Sequence, residues 1–162
     1  MSIHTVLLIL HIIAGSFCLL TGTINLSVKK KKGYHTRIGE WYHGGYIVVF
    51  ITSVAMAIIN WSESAYLFYI ALFSYGLALF GYLAGKLRWR NWLTKHIAGM
   101  AGSYIGIITA VLVVNGMDIP LINQIPPLLL WFVPTIVGTP IIFMVNKRYI
   151  PTRSKKALSK PL

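Results

Sequence analysis

The sequence predicts an all-α fold, an integral membrane bundle of five transmembrane helices. Three observations predict it. Of 162 residues, 56% are hydrophobic and only 11% are charged, whereas a soluble domain needs about a quarter of its residues charged to cover its surface. Five stretches are apolar enough to cross about 30 Å of hydrocarbon at about 1.5 Å per residue. All 15 Lys and Arg residues fall in three blocks between or after those stretches.

The first helix is expected at about 4–28. Its opening, MSIHT, lacks the basic leader of a signal peptide, and the lysine block follows the apolar run. His4, His11, Gly15, Cys18, Gly22 and Asn25 recur along it at spacings of three, four or seven, a stripe of small or polar groups. Lipid tails are as apolar as leucine, so membrane helices associate through close backbone approach along such stripes. Cys18 is the only cysteine, which rules out an intrachain disulfide.

The second helix is expected at about 41–61, after the connector KKKKGYHTRIGE, and the third at about 65–85. The third carries Gly81 and Gly85, and Tyr75 and Tyr82 seven apart on one side, whose hydroxyls need partners in the bundle. The fourth, about 94–115, has Gly99, Gly102, Ser103, Gly106 and Thr109, including the small-xxx-small pair Gly102 and Gly106. The fifth, about 126–146, contains Pro134 and Pro140, tolerated in a membrane helix when neighbours satisfy the freed carbonyls. Pro126 and Pro127 suit its first turn. Residues 1–146 thus read as one transmembrane domain and 147–162 as a basic tail.

Charge orients the bundle. The basic blocks are the first connector, the third (Lys86 to Lys95) and the tail after Asn146, whereas the second and fourth connectors carry only Glu63 and Asp118. Five crossings put the three basic regions on one face, which the positive-inside rule makes cytoplasmic, with the N-terminus outside. Trp41, Trp61, Trp89, Trp92 and Trp131 lie near expected helix ends, at headgroup level. The net charge of +12 is therefore topogenic. It implies anionic headgroups as partners and no nucleic acid, because no basic domain gathers it.

Few residues offer chemistry. His11 lies about 10 Å inside the hydrocarbon if the first helix starts near His4, and an intramembrane imidazole is either a hydrogen-bonded strut or a functional group. A denser group sits at the cytoplasmic face: His35 in the connector, Glu40 and His43 as E-x-x-H, and His96 opening the fourth helix. His43 and His96 are the arrangement that would hold a single b-type haem if helices two and four are neighbours. Adding His35 or Glu40 gives three or four N/O ligands, suited to zinc or another divalent metal. The bland alternative is interfacial structure, with Glu40 favouring the helix N-terminus and pairing with Arg37. No G-x-S-x-G, phosphate-cradling loop or carboxylate pair is present.

The motifs H-I-I-A-G-S and L-L-T-G in the first helix, H-T-R-I-G-x-x-Y in the connector and W-L-T-K-H-x-x-x-M-x-x-S-Y opening the fourth resemble the uncharacterised bacterial membrane family catalogued as domain of unknown function 2306. The resemblance covers most of the chain to about Thr109. It singles out His11, Gly15, Gly22, His35, Arg37, Gly39, His96, Met100, Ser103 and Tyr104, and this chain departs from the pattern with Gly102, where an arginine is expected. The family has no agreed activity, so the resemblance implies a fold, a set of residues and a multi-pass place in a bacterial cytoplasmic membrane, but no reaction. The leading expectation is a redox membrane protein with His43, His96 and His11 as cofactor-binding candidates. The rivals are a non-enzymatic accessory protein binding lipid or partner helices, as a homo-oligomer or with a membrane partner, and a small-substrate transporter.

Overall fold

Backbone hydrogen bonds cannot be traded with water inside a bilayer, so an apolar chain of this kind closes them within helices. In a computed structural model, residues 2–30 and 33–158 are described, with side chains through position 149. Five helices make up nearly all of it: α1 (Ile3–Ser27), α2 (Tyr34–Ile59), α3 (Trp61–Leu87), α4 (Trp92–Asn115) and α5 (Pro127–Leu158). Each is long and apolar enough to cross a membrane. No strand occurs among the described residues.

The helix ends differ from the expected ones where polar residues flank an apolar run. α2 begins at Tyr34 instead of 41, and α5 runs on to Leu158 instead of stopping at 146. Hydropathy marks the part of a helix in hydrocarbon, whereas backbone bonding carries it on into the polar boundary. His35 and Arg37 therefore sit on α2 and not in a connector. α5 continues through Pro134 and Pro140. Lys31 and Lys32 of the connector and the tail side chains from position 150 onward lie outside the described set.

Two compact units divide the chain, Met1–Leu79 and Phe80–Leu162. In the first, α1 packs against α2 with Ala14, Cys18, Thr21 and Gly22 buried. Three contacts fix an antiparallel register. His11 meets Thr52, Cys18 meets Gly45, and Asn25 meets Gly39; on α1 these are seven residues apart, the repeat of a knobs-into-holes seam. A Cβ on Gly45 would stand 2.8 Å from Cys18 Sγ and 3.0 Å from Phe17 Cδ1, so a larger residue there must push those side chains aside.

Helix ends are closed by local bonds. Ser2 Oγ accepts from the Thr5 amide at 3.1 Å at the start of α1. At its end Lys30 Nζ donates to the carbonyls of Asn25 (2.6 Å) and Leu26 (2.7 Å), and desolvation of the ammonium there lowers its pKa. α2 and α3 are separated by Asn60 alone, whose side-chain amide donates to Glu63 at 2.8 Å.

In the second unit the end of α3 runs against α4. A Cβ on Gly81 would lie 2.5 Å from the Met100 nitrogen and 2.8 Å from the Gly99 carbonyl carbon, a backbone-to-backbone approach. α4 packs on α5, with the Ile105 side chain seated on Gly138 and Leu130 on Gly116. Two 3-10 turns, Gly116–Asp118 and Ile122–Gln124, join those helices.

Candidate functional site

Inside hydrocarbon a polar side chain is either satisfied by a neighbour or kept for a ligand. On α1, His11 Nδ1 lies 3.0 Å from Thr52 Oγ1 and 3.3 Å from Ser53 Oγ on α2. The Thr52 hydroxyl donates to the Val48 carbonyl at 2.8 Å. Its single proton being used, it accepts from His11, which assigns the imidazole proton to Nδ1.

His43, on the same unit, is buried. Its ring stacks on Tyr75 of α3 with centroids 6.0 Å apart and planes at 20°. Tyr75 stacks in turn on Phe50 (4.6 Å) and lies against Tyr46 (6.3 Å), which meets Tyr42 edge-on at 5.5 Å. Tyr42 and Tyr46 are both buried. The first unit thus holds an aromatic cluster of α2 and α3 rings with one imidazole stacked among them.

His96 belongs to the second unit. α4 opens at Trp92, so His96 lies within its first two turns, and its Nδ1 stands 2.8 Å from the carbonyl oxygen of Gly81. A carbonyl only accepts, so Nδ1 carries a proton, and in the neutral ring the lone pair is then on Nε2. Gly85 makes the position possible: a Cβ there would lie 2.7 Å from that Nδ1. The Trp92 ring stands 6.3 Å from the imidazole.

The remaining candidates occupy varied settings. His35 is half-buried and Glu40 exposed on α2. The Arg37 guanidinium lies over the Trp41 ring at 5.4 Å. Gly39 faces Asn25, while at Gly15 a Cβ would meet nothing within 4 Å. Gly22, Gly99 and Ser103 are buried, and Gly102, Met100, Tyr104 and Gly106 half-buried. Ser103 Oγ donates back to the Met100 carbonyl at 2.9 Å. Among the described residues no three His, Cys, Asp or Glu side chains gather closely enough to hold a metal ion.

Sequence reasoning picked the histidines but not what holds them. Thr52 and Ser53 look like ordinary helix residues, and the acceptor for His96 is a main-chain carbonyl with no side-chain signature. The spacing of Gly81 and Gly85 was the only available signal for the His96 seat. No family model, no curated protein and no solved structure matches the chain.

Proposed function

We propose that the chain is a multi-pass integral membrane protein, N-terminus outside and C-terminus cytoplasmic, in which His96 would hold a b-type haem. The hydrogen bond from His96 Nδ1 to the Gly81 carbonyl, 2.8 Å long, carries the reading. Ligating imidazoles characteristically donate their second N–H to a carbonyl or carboxylate, which fixes the ring and raises the basicity of the other nitrogen.

The donor set favours haem over a bare ion. Structural zinc takes four protein ligands and catalytic zinc or non-haem iron three, and no such group occurs among the described residues. Haem iron asks the protein for one or two axial groups only. A bound haem would supply one-electron transfer. The chain's own part is to aim Nε2, to leave room for the ring above Gly85, and to flank it with Trp92. The basic blocks and the resemblance to the bacterial family support a bacterial cytoplasmic membrane as its location.

The test is an absorption spectrum of the full chain, purified in detergent from cells supplied with a haem precursor, with iron measured alongside. The expected result is a Soret band, lost in His96→Ala and weakened in Gly85→Ala. Colourless, iron-free protein that also fails to take up added haemin would overturn the proposal. It would leave the accessory reading, which draws on exposed apolar side chains such as Ile12, Ile13, Ile136 and Phe143 along α1 and α5.

A further inference from the structure

Connections between helices usually run through water and are polar, but the one between α4 and α5 is not. It reads GMDIPLINQIPP, and Asp118 is the only charged residue from His96 to Asn146. A small core ties it down. A Cβ on Gly116 would stand 2.6 Å from Leu130 Cδ1 and 3.2 Å from Ile122 Cγ2, with Leu130 buried and Ile122 half-buried. Met117 and Leu121 stay outside that core, 56% and 78% exposed. Exposed apolar side chains flank them on both helices, Val114 at the end of α4 and Leu128 and Phe132 at the start of α5.

The backbone suits an apolar boundary. The N–H of Gly116 donates to the Leu112 carbonyl. That of Ile119 donates to the Gly116 carbonyl (3.3 Å), those of Ile122 and Asn123 to the Ile119 carbonyl (3.1 and 3.0 Å), and that of Ile125 to the Ile122 carbonyl (2.9 Å). Pro120, Pro126 and Pro127 have no N–H to satisfy. Most donors of the connection are thus bonded or missing, and the segment asks little of water. Leu121 adds a second argument. Its φ of +76° lies in the left-handed region, which glycine or asparagine adopts at less cost. A turn alone gives no reason for a leucine there. Strain held with an exposed apolar side chain has a reason where that side chain is buried outside the chain. Continuity names the occupant: the surface on either side belongs to two membrane-length helices, whose exposed neighbour is lipid.

We propose that the α4–α5 connection is a membrane anchor, bedding Met117 and Leu121 in the phospholipid layer where headgroups meet acyl chains. Burial of apolar surface drives the insertion, while Asp118, Asn123 and Gln124, all exposed, keep their polar groups at headgroup level. The inference rests on the membrane-spanning part of the proposed function and is independent of haem.

The test is nitroxide spin labelling of the full chain in phospholipid nanodiscs. Met117→Cys, Leu121→Cys, Phe132→Cys and Glu63→Cys are made one at a time in a Cys18→Ala background, with helical circular dichroism as the check on folding. Collision rates are measured with oxygen, which partitions into lipid, and with a neutral nickel chelate, which stays in water. The exposed Phe132 on α5 and the exposed Glu63 on α3 supply the lipid and water references. The expected oxygen-to-nickel ratio at 117 and 121 is close to that at 132 and about tenfold above that at 63, because water is excluded from the acyl region. The two loop labels are read separately, so either decides the matter should the other variant misfold. A ratio equal to that at 63 would place the connection in water and overturn the proposal. Low collision rates with both reagents would overturn it too, by showing that a second copy or another protein covers the surface. A water-like ratio at 132 as well would fail earlier, at the membrane reading itself.

Discussion

Replacing Gly81 by alanine places one methyl group where two helix backbones meet. The new Cβ would stand 2.5 Å from the Met100 nitrogen, against 3.4 Å where ordinary contact begins, so α3 and α4 must part by about 0.9 Å. Backbone cannot rotate away as a side chain can, and overpacking of this kind costs about 1–3 kcal/mol. Parting the helices also stretches the bond from His96 to the Gly81 carbonyl, and interhelical hydrogen bonds in membranes average about 0.6 kcal/mol with a maximum near 1.7. Alanine's helix preference returns about 1 kcal/mol. The net loss is then about 1–3 kcal/mol. Gly15→Ala and Gly76→Ala are the controls, because their Cβ positions meet nothing within 4 Å, and they should be neutral or up to about 1 kcal/mol stabilising. The assay is unfolding in mixed dodecylmaltoside and SDS micelles, followed by far-ultraviolet circular dichroism. If Gly81→Ala unfolds at the same SDS fraction as Gly76→Ala, the close approach of α3 to α4 is refuted.

Other positions carry equally definite expectations. A double-mutant cycle of His11→Ala and Thr52→Val should give a coupling of about 0.6–1.7 kcal/mol in the same unfolding assay, whereas additive losses would show that the 3.0 Å contact joins nothing. Gly45→Ala, pushed against Cys18 Sγ at 2.8 Å, should cost about 1–3 kcal/mol, partly relieved by Cys18→Ala. Lys30 holds its proton less tightly when folded, since desolvation lowers its pKa from 10.5. The unfolded chain therefore binds more protons at that site between the lowered value and 10.5, and its contribution to stability rises with pH across that window. Lys30→Met should remove that rise relative to the parent, read as the difference between their stability–pH curves; identical slopes would contradict it.

Much of this architecture is legible in sequence, because the bilayer imposes a length and a polarity on each span. The expected 4–28 and 94–115 agree closely with Ile3–Ser27 and Trp92–Asn115. Tyr34 and Leu158 were not legible as helix ends, since residues outside hydrocarbon are chosen for charge as much as for conformation. The seven-residue recurrence of His11, Cys18 and Asn25 is visible along one helix, but its complement on α2, Thr52, Gly45 and Gly39, mixes a hydroxyl with two glycines and has no chemical unity. Periodicity shows that a helix has an inward face and not which helix meets it. For the same reason Gly81 and Gly85 stood out as small residues, while their roles as acceptor and seat for His96 depend on the register between two helices.

The sidedness of the two chain ends tests the central claim most directly. On the proposed topology, five crossings would place the termini on opposite faces, with the Lys86–Lys95 turn and the C-terminus sharing the cytoplasmic side. A reporter that fluoresces only in the cytoplasm should light up when fused after Leu162, and a phosphatase active only outside should work when fused at Glu63 or Asp118. Phosphatase activity at the C-terminus with a dark fluorescent fusion, or release of the chain into the aqueous fraction, would contradict the account.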